Sequence, residues 1–116
     1  MDDERTEAEF EEVVAAAIGD LPDDLQAAMS NVEIVVEDEP PLGQPLFGLY
    51  QGVPLTRRTS AYAALPDKIS IYRGPLERFY GTDTAQLRQM IRRVVLHEIA
   101  HHFGISDERL RELDRY

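Results

Sequence analysis

The chain contains no cysteine among its 116 residues. It can therefore form no disulfide bond and can use no thiolate as a nucleophile or as a metal ligand. Long hydrophobic runs are also missing, because no stretch approaches the roughly 20 apolar residues that span a bilayer. The opening residues, Met1-Asp2-Asp3-Glu4, lack the apolar segment of a secretory signal peptide. These absences predict a cytoplasmic protein that makes no contact with a membrane.

Basic residues are scarce. Twelve Lys and Arg stand against 22 Asp and Glu, so the formal net charge is -10. A field of that sign repels the phosphates of nucleic acids. The two basic pairs, Arg57-Arg58 and Arg92-Arg93, are expected on solvated surfaces. We therefore expect no nucleic-acid partner. The length predicts a single domain over 1–116, and an apolar content of 43% is ordinary for one core.

Near the C-terminus the chain reads His97-Glu98-Ile99-Ala100-His101. Residues four apart lie on one face of a helix, so His97 and His101 can offer two imidazole nitrogens to one metal ion. Glu98 lies about 100° round the helix from His97, where its carboxylate can reach a water on that metal. Two nitrogen ligands beside a carboxylate base form the helical core of a zinc hydrolase site.

The motif continues as H-E-x-x-H-x-x-G-x-x-D, with Gly104 and Asp107 at its end. Glycine commonly follows a helix C-terminus, and a turn there would direct Asp107 back towards the metal. The alternative interpretation makes Asp107 an N-cap, or an acid in the first turn of a terminal helix. The other acids that could supply a third ligand are Glu108, Glu112, Asp114 or a residue upstream.

Periodicity predicts an α+β fold. A capping box, Thr6-x-x-Glu9, begins a first helix that Gly19 ends. The further predicted elements are a short helix at Pro22–Met29, strands at Val32–Glu37, Leu46–Tyr50 and Lys68–Tyr72, a helical turn at Leu76–Tyr80, a main helix at Thr84–Phe103 and a terminal helix at Asp107–Tyr116. The prolines within residues 40–45 predict a connecting loop there. Gln51–Pro66 is expected to be a long surface loop. Gly48 inside a strand indicates a bulge or a close approach.

The main helix carries an apolar stripe of Leu87, Met90, Ile91 and Val94. His97 and His101 continue that stripe, and apolar residues lie on the other side as well. We therefore expect the second half of this helix to be buried nearly all round.

With this motif and this order of elements, the chain resembles the compact bacterial "minimal zincin" or zincin-like metallopeptidases. The resemblance implies a zincin-like fold, in which a small mixed sheet of about three strands packs on a long active-site helix, with N-terminal and C-terminal helices. It implies His97, His101 and Asp107 as ligands of a zinc ion (Zn2+) and Glu98 as the catalytic base. A peptide or protein substrate is implied, and main-chain pairing to an edge strand at Ile69–Tyr72 is expected.

Two other functions compete with a metallopeptidase. A metal-binding scaffold or regulator would need the ligands without catalysis. Metal-dependent ribosomal-RNA endonucleases resemble the chain in ligand spacing, but they have a third histidine where this chain has Asp107 and a non-acid where it has Glu98. The negative charge also disfavours them. Candidate oxyanion partners in a peptidase are Tyr50, Tyr72, Tyr80, Arg57 and Tyr116.

Overall fold

The computed structural model describes residues 5–52, 67–103 and 106–113, without the side chains of 101–103 and 107. The described elements are α1 (Glu7–Gly19), α2 (Asp23–Ala28), β1 (Val32–Glu37), β2 (Gly48–Gln51), β3 (Asp67–Tyr72), α3 (Arg73–Tyr80), α4 (Thr84–Phe103) and α5 (Asp107–Leu113). They confirm the predicted α+β class. Most of the predicted loop Gln51–Pro66, and the turn at Gly104, lie outside the described residues. None of the described helices is long and apolar enough to cross a membrane.

Helix α1 begins at the predicted capping box. Thr6 Oγ1 accepts the Glu9 N–H at 3.1 Å, and Glu9 Oε1 accepts the Thr6 N–H at 2.8 Å. The two bonds satisfy backbone donors that the first turn leaves without helical partners. The buried face of α1 packs against α4 and consists of Phe10, Val13, Val14 and Ala17. The helix thereby supports the element that carries the metal motif.

The sheet has the strand order β1-β3-β2. β1 pairs with β3 in parallel, and β2 pairs with β3 in antiparallel fashion. The expectation that a substrate pairs with Ile69–Tyr72 is therefore wrong. β3 is the central strand, and both of its sides are hydrogen-bonded within the sheet. Its last four residues are buried. The edge strand that lies against α4 is β2.

The outer edge of β2 follows from its pairing. Tyr72 N donates to Phe47 O at 2.9 Å, so these residues form a hydrogen-bonded pair. Antiparallel ladders alternate between hydrogen-bonded and non-hydrogen-bonded pairs. In the observed register the N–H of Leu49 therefore points towards β3, and the N–H groups of Gly48 and Tyr50 point away from the sheet. β2 thus presents outward backbone groups beside α4.

Helix α4 has the predicted bounds, but its burial differs from the prediction. Its fully buried residues are Leu87, Ile91, Val95, Leu96 and Ile99. Met90 and Val94 are half-buried, and His97 is exposed. The expectation of burial nearly all round is wrong, because the sheet and α1 cover only part of the circumference and leave the face of His97 open to solvent.

Helix α3 and Arg92 correct two further expectations. α3 begins at Arg73 rather than at Leu76, because Pro75 suits a first helical turn and Gly74 N–H donates to Asp38 O at 2.8 Å. Arg92 was expected on the surface together with Arg93, but its side chain is buried and its Nη2 donates to Leu113 O at 2.5 Å. Arg93 is exposed, as expected.

Gly48 allows α4 to approach the sheet closely. A Cβ at this position would lie 2.6 Å from Val94 Cγ1 and 3.1 Å from the Ser70 carbonyl oxygen. We expect Gly48→Ala to lower the free energy of unfolding by about 1–3 kcal/mol, because a tightly packed neighbour must move. Gly19→Ala is the control, since a Cβ there meets no atom within 4 Å. Urea denaturation of both variants measures the difference, and equal stabilities would contradict the close approach.

Candidate metal centre

Helix α4 fixes the spacing of the predicted ligands. The Asp83 carboxylate accepts the N–H groups of Ala85 at 2.9 Å and Gln86 at 3.2 Å, so Asp83 caps the start of this helix. From Thr84 to Phe103 the helix is continuous, so positions 97 and 101 lie one turn apart, about 6 Å along its axis. The His97 side chain is exposed, and the side chain of His101 lies outside the described residues. The helix therefore turns His97 towards solvent.

Glu98 reaches the edge of the sheet. Its Oε1 accepts the N–H of Tyr50 at 2.8 Å, one of the two outward N–H groups of β2. Val94 lies over Gly48, and one turn later Glu98 lies beside Tyr50. Four helical residues rise about 6 Å and two strand residues about 6.6 Å, so α4 and β2 run in step. One carboxylate oxygen of Glu98 is thus held by a backbone donor.

Tyr50 is itself held in place. Its ring is buried, and its hydroxyl donates to Asp67 Oδ2 at 2.6 Å, which joins the last part of β2 to the first residue of β3. Sequence reasoning did not identify the Tyr50 N–H or Asp67 as supports of the site. The signal available for this contact was Gly48, a glycine inside a strand, which indicated the close approach but not the partner.

The structure gives two of the candidate oxyanion partners, Tyr50 and Tyr80, other contacts. The hydroxyl of Tyr50 is bonded to Asp67, and the ring of Tyr80 packs against Phe47 with centroids 5.7 Å apart. Burial raises the pKa of Tyr72, and the charges of Glu37 and, more weakly, Glu98 raise it further. The raised pKa keeps the Tyr72 hydroxyl protonated, and the charge of Glu98 contributes to this shift. Arg57 and Tyr116 lie outside the described residues.

Helix α5 carries Asp107 as its first residue. Ser106 caps this helix, because its Oγ accepts the Arg109 N–H at 3.1 Å. The interpretation of Asp107 as the N-cap is therefore wrong, and an acid in the first turn remains as the non-ligand alternative. The Asp107 side chain and Asp114 are outside what the structure describes, and Glu108 and Glu112 are exposed.

Three contacts fix α5 against the rest of the molecule. Its last carbonyl, that of Leu113, accepts from the buried Arg92 of α4. Arg109 pairs with Asp24 of α2 at 2.7 Å. The Leu113 side chain is itself part of the core. These contacts hold α5, the helix that begins at Asp107, against α4 and α2.

The predicted ligands are of the types that zinc binds, imidazole nitrogen and carboxylate oxygen. Of these ligands the structure describes the side chain of His97, an exposed imidazole one turn before position 101. Within 5–52, 67–103 and 106–113, no three His, Asp or Glu side chains form a cluster that could hold a metal. Two of the three predicted ligand side chains, those of His101 and Asp107, are not among those described.

Comparison with known proteins indicates a family. Residues 29–116 match the family model described as zincin-like metallopeptidase. The matched segment begins at the end of α2 and includes the whole sheet, α4 and α5. No curated protein matches the chain.

Proposed function

The chain belongs to the zincin-like metallopeptidase family, and on this basis we propose that it is a zinc-dependent peptidase with Glu98 as its general base. The observation that carries the proposal is the bond from the Tyr50 N–H to Glu98 Oε1. It holds a carboxylate at the edge of the sheet, one residue after His97, whose side chain is exposed. A base must be held within reach of the proton that it takes, and this contact supplies the restraint.

The proposed ligands are His97, His101 and Asp107. When bound, zinc would lower the pKa of its water and polarise the peptide carbonyl. Glu98 accepts the proton of the attacking water on Oε2, because Oε1 already accepts from Tyr50. It then passes this proton to the amine that leaves. The Tyr50 bond keeps the carboxylate in one orientation for both transfers.

The proposed substrate is an extended peptide along the outer edge of β2. Gly48 turns its N–H away from the sheet, which is the arrangement that strand addition uses. This edge replaces the expected one at Ile69–Tyr72. The net charge of -10 favours the approach of peptides that carry basic residues.

Zinc content and peptide hydrolysis test the proposal together. We expect about one zinc ion per purified chain, and cleavage of a mixed peptide library that a chelator stops and added zinc restores. Elemental analysis measures the metal, and mass spectrometry identifies the cut peptides. A chain that takes up zinc but cuts no peptide would support the non-catalytic scaffold instead. A chain that takes up no zinc would contradict both.

Asp107 is tested by two substitutions. As a ligand, its loss in Asp107→Ala or Asp107→Asn should weaken zinc binding by orders of magnitude, because a charged oxygen donor is removed. As an acid in the first turn, it contributes only about 0.3–1 kcal/mol to helix stability, and zinc affinity would persist. Ser106→Ala is the control, since it removes the cap at about 1 kcal/mol and keeps the carboxylate. Native zinc affinity in both Asp107 variants would mean that the third ligand is Glu108, Glu112, Asp114 or an upstream residue.

A further inference from the structure

Three apolar side chains line one groove beyond the N-terminal end of β2. Leu42 is 99% exposed and Phe79 is 70% exposed. The ring of Phe47 meets that of Phe79 edge to face, with centroids 5.8 Å apart. We call Leu42, Phe47 and Phe79 the apolar surface. The groove that they line has a volume of ≈ 780 Å³, and most of its other lining residues are proline or apolar. Exposed apolar groups that gather in one concave place commonly mark a binding site.

The charge at the rim of this groove is neutralised. Arg78 donates to both oxygens of Glu39, at 2.9 and 3.0 Å, in a paired geometry. The Arg78 guanidinium and the Glu39 carboxylate neutralise each other. The pair therefore attracts neither an anion nor a cation to the groove. The groove therefore suits an apolar side chain rather than a charged one.

The apolar surface lies on the line of β2. Phe47 O accepts from Tyr72 N, so the ladder continues one residue before Gly48. Tyr50, where Glu98 is held, follows Phe47 by three residues, or about 10 Å of strand. A peptide strand that starts beside Glu98 and follows the outer edge of β2 past Gly48 thus arrives at Phe47.

From this alignment we propose that the apolar surface is a substrate subsite. It takes an apolar side chain of an extended peptide, about three to five residues away from the bond that is cut. The inference rests on the proposed function, because it assigns the occupant as the substrate of that site. It adds two requirements to the substrate class. The peptide must be long enough to reach the apolar surface, and it must carry an apolar residue at that distance from the bond that is cut.

Peptide binding to the Glu98→Gln chain, loaded with zinc, tests the subsite without turnover. The probe is a peptide of about twelve residues made of alanine, serine and lysine with one phenylalanine; its partner has serine in place of phenylalanine. In NMR titrations of the labelled full chain, we expect the amide signals of Gly48, Leu42 and Phe79 to shift along one binding curve. The serine peptide should bind roughly tenfold more weakly, because it buries no ring.

Surface variants give the second measurement. Leu42→Ser and Phe79→Ser should each remove the preference for phenylalanine. Leu42→Ser should leave the melting temperature unchanged because its side chain is exposed, and Phe79→Ser should lower it only slightly, through loss of the ring contact with Phe47. Gln86→Ser, an exposed change on α4, should keep the preference. Equal affinity of the two peptides would overturn the subsite, and so would shifts at Leu42 and Phe79 without Gly48. Shifts at Gly48 alone would leave the peptide-binding edge intact and reject only the subsite. No shift at any of these amides would reject both.

Discussion

Replacing Glu98 with glutamine is expected to reduce peptide hydrolysis by about two to four orders of magnitude. The glutamine carbonyl can still accept the Tyr50 N–H, so the bond that holds the side chain at 2.8 Å in the native protein is retained. Its amide nitrogen cannot take a proton from water, which removes the base while the geometry stays. Zinc content and melting temperature should therefore match those of the native chain.

The matched control for this substitution is Glu12→Gln, which neutralises an exposed acid on α1. It changes the net charge by the same amount and should keep hydrolysis near the native rate. Turnover by Glu98→Gln that equals the native rate, on any peptide that the native protein cuts, would show that another group accepts the proton.

Replacing His97 with alanine is expected to weaken zinc binding by orders of magnitude and to abolish hydrolysis with it. The reason is the loss of one of two nitrogen donors on a single helical face. Because His97 is exposed, its removal leaves no cavity in the core, and the apoprotein should remain folded. Competition with a chromophoric chelator measures the affinity, and thermal unfolding of the apoprotein measures the stability.

His102→Ala is the control for His97→Ala. Five residues along a helix correspond to a rotation of about 140°, so position 102 is on a different side of α4 from position 97. Its substitution should leave zinc affinity within a few fold of native. If both histidine variants bind zinc like the native chain, the metal is held elsewhere, and the assignment of the motif is wrong.

Local signals predicted the elements well. The capping box at Thr6 and the alternation in Val32–Glu37 gave the start of α1 and the bounds of β1. The long helical periodicity gave α4 from Thr84 to Phe103. Each of these signals depends on neighbours within one or two turns of the chain, and those neighbours are visible in the sequence.

Contacts between distant residues could not be predicted in the same way. The parallel pairing of β1 with β3 makes β3 the central strand, and nothing in Lys68–Tyr72 distinguishes a central strand from a buried edge. Arg92 is buried because α5 folds back over it, an arrangement fixed by tertiary packing. The bond between Glu98 and Tyr50 joins residues 48 apart in the chain. The motif therefore predicted a role for Glu98, and the fold identified the partner of its carboxylate.

Helix α1 has a consequence for any shortened form of this protein. It precedes the family-matched segment, which begins at residue 29, yet its apolar face packs on α4. Phe10 and Ala17 are fully buried there. A fragment that starts at residue 29 would leave this side of the motif-bearing helix uncovered, and exposed apolar area of that kind promotes self-association. In this chain the matched segment thus depends for the cover of α4 on a helix that lies outside the match.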